Sequence, residues 1–342
     1  MNEALHSAMA YGTPLSLLQK ISTWVSWAIG GAIFLTVGWV ALEPVDPLGP
    51  VSVLAGSNAL VTLIQAAALA GVAAALGTIV AGRIRADVGV FAAALGMAAV
   101  SLKGATAEYL LVEHADLSSA FTRALAAKLA LESVGWFAVV VVALAVSSLV
   151  ARWFGETSNR PCGDGYDSHV VEAPAPAGFD VPLAGSRLFG CSPGGQTPPN
   201  DGLRHTVIAV GVGLVAMSFF SSGLSSRSIQ HGQACFAVTA AVCVACYTAH
   251  RFAPVRSALW SILAIGVMAL VGYLWASVRP VARGLPVNVP SSPFLRVLPI
   301  QFIAVGTAAA LAMFWYMYLP PVTAKGKDET RANRHSLKGR GS

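Results

Sequence analysis

The chain has 342 residues, of which 55% are hydrophobic and 11% charged, with a net charge of +6 and a mean hydropathy of +0.66. A soluble domain carries about 25% charged residues. Surface-to-volume scaling also leaves a large part of any globular protein exposed to solvent, and a chain this apolar has too few polar residues to cover that surface. These figures exclude a soluble globular protein and predict an all-α, polytopic integral membrane protein. The basic residues of such a chain are topology determinants beside anionic lipid, so we expect no nucleic-acid partner.

The sequence predicts four spans in the N-terminal membrane half, residues 1–151. They fall at about 21–42, 58–81, 88–102 and 124–150. The second span is rich in alanine and glycine, and Gly71 and Gly77 would let a neighbouring helix approach closely. The third span is short, so we expect it to extend past Lys103, whose side chain can reach the membrane interface.

A polar segment at 152–205 interrupts the hydrophobic pattern. Proline and glycine make up about 30% of it, a level typical of disorder when no repeat period is present. Its few apolar residues cannot offset the entropy lost on ordering. We therefore predict a disordered cytoplasmic linker, which could be shortened without loss of folding.

The C-terminal membrane half, residues 206–320, repeats the rhythm of the first half. Its spans fall at about 206–222, 234–249, 257–278 and 297–319. A basic hairpin separates the second and third spans in both halves, at 82–87 and at 250–256. The pattern predicts about eight transmembrane helices in two four-helix halves of parallel orientation, and leaves open whether the halves are a true repeat.

The charge distribution predicts the orientation of the chain. With eight spans, both termini, the linker and the two basic hairpins lie on one side, together with the basic tail at 321–342. Most of the 22 lysine and arginine residues are on that side. The positive-inside rule therefore predicts a plasma (inner) membrane protein with both termini in the cytoplasm.

Lys128 and Glu132 are the ionisable pair within a predicted span. They lie four residues apart and so share a helix face. Ionisable residues inside a membrane segment are a functional hypothesis, since each costs roughly 2.5–3.5 kcal/mol at mid-bilayer. Near the end of a span, however, the pair can also snorkel and lock neighbouring helices. Both interpretations, the structural pair and a proton or ion relay, stay open.

Gln65 and Gln301 are the other polar side chains at depth. Interhelical hydrogen bonds of glutamine typically stabilise helix packing, and contact with a substrate is the alternative. If the two glutamines converge with Lys128 and Glu132, the four form an intramembrane polar cluster that could bind a ligand. We predict such a binding cluster from Gln65, Lys128, Glu132 and Gln301.

The cysteines and histidines do not predict a catalytic, cofactor or metal site. The C-x-x-C pair of Cys243 and Cys246 lies in an apolar helix rather than after a strand, so we interpret it as structural. Cys162 and Cys191 lack the close spacing of zinc ligands. A haem would need histidines well inside two spans, and we place the candidates at span ends or in loops. They are His114, His205, His231 and His250.

The sequence favours a non-enzymatic membrane component, a subunit or scaffold whose partners are the bilayer and other membrane subunits. The alternative is a transporter of small-molecule or lipid-like substrates, for which Gly30–Gly31 and the pair Gly211 and Gly213 are candidate flex points. A third hypothesis is a membrane enzyme that uses an outer loop, with Glu108, Glu113 and His114 as its polar residues.

Overall fold

The computed structural model describes residues 17–44, 49–53, 58–81, 86–107, 109–110, 119–155, 199–222, 230–255, 257–278 and 292–318. Within these residues the regular structure is helical. The first helix, α1, is Leu17–Ile33, which continues through a π-helical turn (Phe34–Gly38) into Trp39–Leu42. The other helices are α2 (Ala59–Val80), α3 (Ala86–Ser101), α4 (Ser119–Gly155), α5 (Pro199–Ser222), α6 (His231–Phe252), α7 (Leu259–Val278) and α8 (Pro299–Tyr318).

The protein is an all-α, polytopic membrane protein. Seven of these helices are long and apolar enough to cross a bilayer, and α3 is a shorter apolar helix. Its 16 residues span about 24 Å at the α-helical rise. Nearly all of α3 is buried against other helices, so its ends are covered by protein rather than by lipid. The prediction of about eight transmembrane helices is confirmed in this sense.

The observed helix ends differ from the predicted ones at three places. Helix α3 stops at Ser101 and does not extend past Lys103, whose ammonium lies 4.6 Å from the centre of the Trp39 ring. Helix α4 continues to Gly155, and α5 begins at Pro199, so both ends of the predicted linker are helical. The interior of the linker, both chain termini and the residues Glu108, Glu113 and His114 lie outside the described residues.

The helices of the two halves make the same contacts. Within the first half α1 packs on α2 and α3, and α4 packs on α2 and α3; in the second half α5 packs on α6 and α7, and α8 packs on α6 and α7. The contacts between the halves correspond as well. Helix α3 packs on α8, and their counterparts in the other half, α7 and α4, pack on each other. Helices α4 and α8 meet each other. The exception is the pairing of α2 with α3, which is far stronger than that of α6 with α7.

Glycines set the closest approach of α3 to its neighbours. A Cβ atom on Gly30 of α1 would lie 2.2 Å from the carbonyl oxygen of Ala92 on α3, and one on Gly96 would lie 2.6 Å from the carbonyl oxygen of Gly30. On the other side of α3, a Cβ on Gly77 of α2 would lie 3.1 Å from the Cα of Gly89. Small residues at helix contacts are how helices pack in lipid, so α3 is the central helix of the first half.

The interface between the halves is filled by large apolar side chains. The fully buried ones include Trp136 of α4, Tyr273 of α7 and Phe302 and Ile303 of α8. They belong to one continuous core that runs through both halves. The two halves are therefore packed together as one bundle, with α3, α4, α7 and α8 at its centre.

Candidate functional site at the upper end of the bundle

Buried polar groups lie toward both ends of the bundle, and one end is the place where they hold two buried loop segments. It is the end at which α1, α3, α5 and α7 stop and α2, α4, α6 and α8 begin, and we call it the upper end. Two short segments there are buried although they are not in long helices: residues 49–53, and the 3₁₀ turn Pro293–Arg296 with the two residues after it. Buried backbone outside regular structure needs hydrogen-bond partners, and side chains of the long helices supply several of them.

Glu132 of α4 holds the 49–53 segment. Its carboxylate accepts hydrogen bonds from the Ser52 hydroxyl at 2.6 Å, from the Val53 backbone N–H at 3.1 Å and from the Trp136 indole N–H at 3.0 Å. Only 3% of Glu132 is exposed. A buried carboxylate is tolerated where donors surround it, and here one donor comes from the backbone of a loop. Glu132 thus ties α4 to the loop between α1 and α2.

Gln301 of α8 makes a second connection at the same end. Its amide nitrogen donates to His231 Nδ1 at 2.7 Å and lies 3.4 Å from the Ser101 carbonyl oxygen. Its amide oxygen accepts from the Leu298 backbone N–H at 3.3 Å. Ser101 ends α3 in the first half, whereas His231 begins α6 in the second. One side chain therefore joins three helices from both halves.

His231 extends this connection to the loop after α3. Its Nε2 lies 2.7 Å from the Gly104 carbonyl oxygen. Since Nδ1 accepts from Gln301, these bonds fit a neutral imidazole that carries its proton on Nε2 and donates it to Gly104. The backbone N–H of Ala105 in turn donates to the Gly49 carbonyl oxygen at 3.0 Å. These bonds connect the Gln301 side chain to the 49–53 segment, which Glu132 also holds.

Two further side chains fix the turn before α8. The Tyr273 hydroxyl of α7 donates to the Val297 carbonyl oxygen at 2.7 Å. The Arg296 guanidinium donates to the Ser221 carbonyl oxygen at the end of α5. Burial lowers the pKa of Arg296, although an arginine stays charged because its usual pKa is so high. The last carbonyls of a helix are where a cation is stabilised by the helix dipole.

We call the residues that make these bonds the upper polar network. They are Gly49, Ser52, Val53, Ser101, Gly104, Ala105, Glu132, Trp136, Ser221, His231, Tyr273, Arg296, Val297, Leu298 and Gln301. Its chemistry is that of a structural clasp, since the bonds join one part of the chain to another.

The four predicted binding residues are distributed over different environments. Glu132 and Gln301 are buried and belong to the upper polar network, whereas Gln65 and Lys128 are exposed. Lys128 therefore lies outside the buried hydrogen bonds of its predicted partner Glu132, which are made to Ser52, Val53 and Trp136. A binding role for any of the four remains a prediction.

The residues that complete the network were not predicted from the sequence. Ser52 and Val53 follow Pro44, Pro47 and Pro50 in the short loop before α2, where nothing in the sequence marks burial. The sequence marks His231 only as a histidine at a span end or in a loop, with no sign of the hydrogen bonds that it makes. Trp136 was the one with a usable signal, because it lies four residues after Glu132 and hence on the same face of α4.

His205 is the last residue of the predicted linker, and the sequence places it at a span end or in a loop, whereas the structure places it within α5. His205 is a buried residue of α5, with Nδ1 at 2.9 Å from the Ala253 carbonyl oxygen and Nε2 at 3.0 Å from the Ser261 hydroxyl. Both ring nitrogens are thus engaged within the protein. Among the described residues, no three histidine, cysteine or carboxylate side chains come together as metal ligands would. Cys235, Cys243 and Cys246 are free thiols of α6.

An apolar groove lies on the second half, away from the network. It has a volume of about 540 Å³ and is lined by α5 and α6. The lining residues are Gly211, Val212, Val215, Ala216, Phe219, Phe220 and Val244. Val215 and Phe219 are more than two thirds exposed, so the groove opens on the lipid-facing surface.

Comparison of the chain with protein-family models, with curated proteins and with solved structures finds no match. The fold and the composition therefore define the class of protein, an α-helical integral membrane protein.

Proposed function

We propose that this protein is a non-enzymatic structural component of the plasma membrane, a subunit or scaffold that acts by assembling with other membrane chains. The observation that supports this proposal most is the upper polar network. Glu132 and Gln301, the two buried residues of the predicted binding cluster, are bonded to the protein's own loops and helix ends. A ligand would have to replace those bonds, and buried groups left unpaired are costly.

The candidate flex points also favour a fixed bundle. Helices α1 and α5 run without interruption through Gly30–Gly31 and through Gly211 and Gly213. Transporters commonly build their sites from broken helices near the midplane. Gly30 instead provides a close contact with Ala92, which is a packing role.

The experiment is affinity isolation of the full-length protein from native membranes in mild detergent, with each co-purifying chain quantified. A subunit or scaffold brings a partner in fixed stoichiometry, whether another membrane protein or a second copy. The matched control is the Glu132→Leu variant, which should lose the partner along with the fold of the upper end. Recovery of the wild-type protein as a monomer, with partners only in trace amounts, would contradict the proposal.

A transporter of lipid-like substrates is the second candidate, and two observations favour it. The helix contacts of the two halves correspond, as in transporters built from parallel repeats. The groove between α5 and α6 has a wholly apolar lining that suits an acyl or isoprenoid chain. Reconstitution in vesicles with a fluorescent phospholipid tests it: protein-dependent movement between leaflets, lost in a Gly211→Trp variant that fills the groove, would favour transport over the structural role.

The orientation forms part of the proposal. Placing both termini and the linker in the cytoplasm is supported by the excess of lysine and arginine on that side. Fusion of a reporter that is active only in the cytoplasm to each terminus, and to the loop at 223–229 as the opposite-side control, tests it. Activity at both termini and none at the loop is expected.

A further inference from the structure

Gln65 lies on the part of α2 that faces lipid. Helix α2 is among the least buried helices of the bundle, with 28% of its most apolar window covered by protein. Gln65 is exposed, and its neighbours on this face include Val61, Ile64 and Val72, each at least half exposed. It lies six positions after the start of the helix at Ala59, which places it about 9 Å along the axis. An amide at that position projects into the hydrocarbon region.

Exposed hydroxyl side chains in the helices, unlike Gln65, have hydrogen-bond partners close by in the chain. Each donates to a carbonyl of its own helix three or four residues earlier, as seen for Thr36, Thr62, Ser218 and Ser277. For Gln65 the structure shows no hydrogen bond to any of the described residues. Polar groups in hydrocarbon are costly without a partner, and lipid tails offer none. The partner must therefore come from another molecule.

We propose that the α2 face with Gln65 is the contact through which two copies of this chain pair in the membrane. An amide carries both donors and an acceptor on one side chain. A two-fold axis brings each residue opposite its own copy, so two Gln65 side chains can satisfy each other with two hydrogen bonds. Ala68, which is also exposed and lies three residues further along the helix, is small enough to let the two helices approach closely.

A second copy fits this face better than the other occupants. An acyl chain cannot bond to an amide, and an unrelated helix would need a matching polar group at the right depth. The same chain supplies that group without further assumption. The inference rests on the proposed function, assembly with membrane chains, and names the partner for one face of the bundle.

Disulfide cross-linking in native membranes tests the pairing. Gln65→Cys is introduced into the full-length chain with the five native cysteines replaced by alanine, and Val215→Cys is the matched control. Val215 is 72% exposed on α5, in the lipid-facing groove of the other half. We expect mild oxidation to give a covalent dimer at position 65 at least tenfold faster than at position 215. Equal rates at the two positions, or no dimer at position 65, would overturn the inference.

Energy transfer between labelled copies in bilayers gives a second measurement. Since interhelical hydrogen bonds typically add about 0.6 kcal/mol each and two are lost, Gln65→Leu should weaken pairing by roughly tenfold. Gln65→Asn, which keeps the amide, should retain most of it. Unchanged pairing in Gln65→Leu would contradict the role of the amide.

The two proposals fail in different ways. If Gln65→Cys cross-links to a different membrane protein and never to itself, the pairing of copies is wrong while the assembly function stands. If the wild-type chain is monomeric in the bilayer and co-purifies with no stoichiometric partner, both are wrong.

Discussion

At the scale of single residues, the two buried polar side chains Glu132 and Gln301 explain how loops can be packed at the end of a membrane bundle. Each accepts from a backbone N–H that regular structure does not satisfy, at Val53 and at Leu298. A polar side chain that costs free energy in lipid is stabilised when it completes such a bond. The two residues lie in α4 and in α8, the helices that correspond in the two halves.

Replacing Glu132 tests the clasp at this scale. Glu132→Leu leaves the Val53 and Trp136 donors without their acceptor, so we expect it to lower the free energy of unfolding by about 3 kcal/mol. Glu132→Gln keeps an acceptor oxygen and should cost about 1 kcal/mol. Denaturant titration in detergent micelles, followed by tryptophan fluorescence, measures both.

Leu131→Ala is the control for Glu132, because Leu131 is the adjacent residue and is 69% exposed. It should change the stability by less than about 0.5 kcal/mol. A Glu132→Leu variant as stable as this control would show that the carboxylate does not hold the loop.

At the scale of helices, the hydrophobic runs of the sequence predicted where the spans lie but not which face of each span is buried. Long apolar segments have one physical explanation, a helix across the bilayer, so the existence of these helices followed directly. Their faces could not be predicted because lipid-facing and buried positions are equally apolar. Gln65 and Gln301 illustrate this: both are glutamines in apolar helices, yet Gln65 is exposed on the surface of the bundle and Gln301 joins three helices.

Alanine substitutions at two neighbouring glycines of α1, Gly30 and Gly31, test the packing of α1 on α3. In Gly30→Ala the new methyl group would lie 2.2 Å from the Ala92 carbonyl oxygen, a backbone atom. The helices must separate, and we expect a loss of about 1–3 kcal/mol from overpacking. At Gly31 nothing lies within 4 Å of the corresponding Cβ position, so Gly31→Ala should be neutral, or stabilising by up to about 1 kcal/mol through helix propensity.

Thermal unfolding of the two glycine variants in the same detergent measures the difference. A Gly30→Ala variant that melts at or above the temperature of Gly31→Ala would contradict the close approach of α1 to α3.

At the scale of the whole molecule, the two halves form one bundle with corresponding helix contacts, and the upper polar network joins them. The sequence indicated two four-helix halves through their rhythm and basic hairpins. It could not indicate how the halves meet, because the contacts of α3 with α8 and of α4 with α7 depend on residues more than a hundred positions apart. The contact of Gln301 with Ser101 and the hydrogen bond of His231 with Gly104 are of this kind.

The segment between the halves provides a prediction at this scale. Replacing 160–195 by a shorter glycine–serine linker should leave the amount of membrane-integrated, folded protein unchanged, since the helices themselves make the contacts between the halves. The same replacement of 49–53 is the control and should reduce the amount of folded protein, because it removes the buried side chains of Val51 and Val53 and the Ser52 hydroxyl that bonds to Glu132. Size-exclusion chromatography of fluorescent fusions measures both. Loss of folded protein on shortening 160–195 would show that this segment packs.

The proposed structural role requires the upper polar network to be a permanent clasp that does not open as a gate would. Hydrogen exchange of the full-length protein in lipid nanodiscs tests it most directly, at the backbone amides of Val53 and Leu298. Because these amides donate to buried side chains, we predict that they exchange as slowly as the amides in the middle of α4 and α8. Exchange at the rate of exposed loops would show that the upper end opens, and would contradict the account.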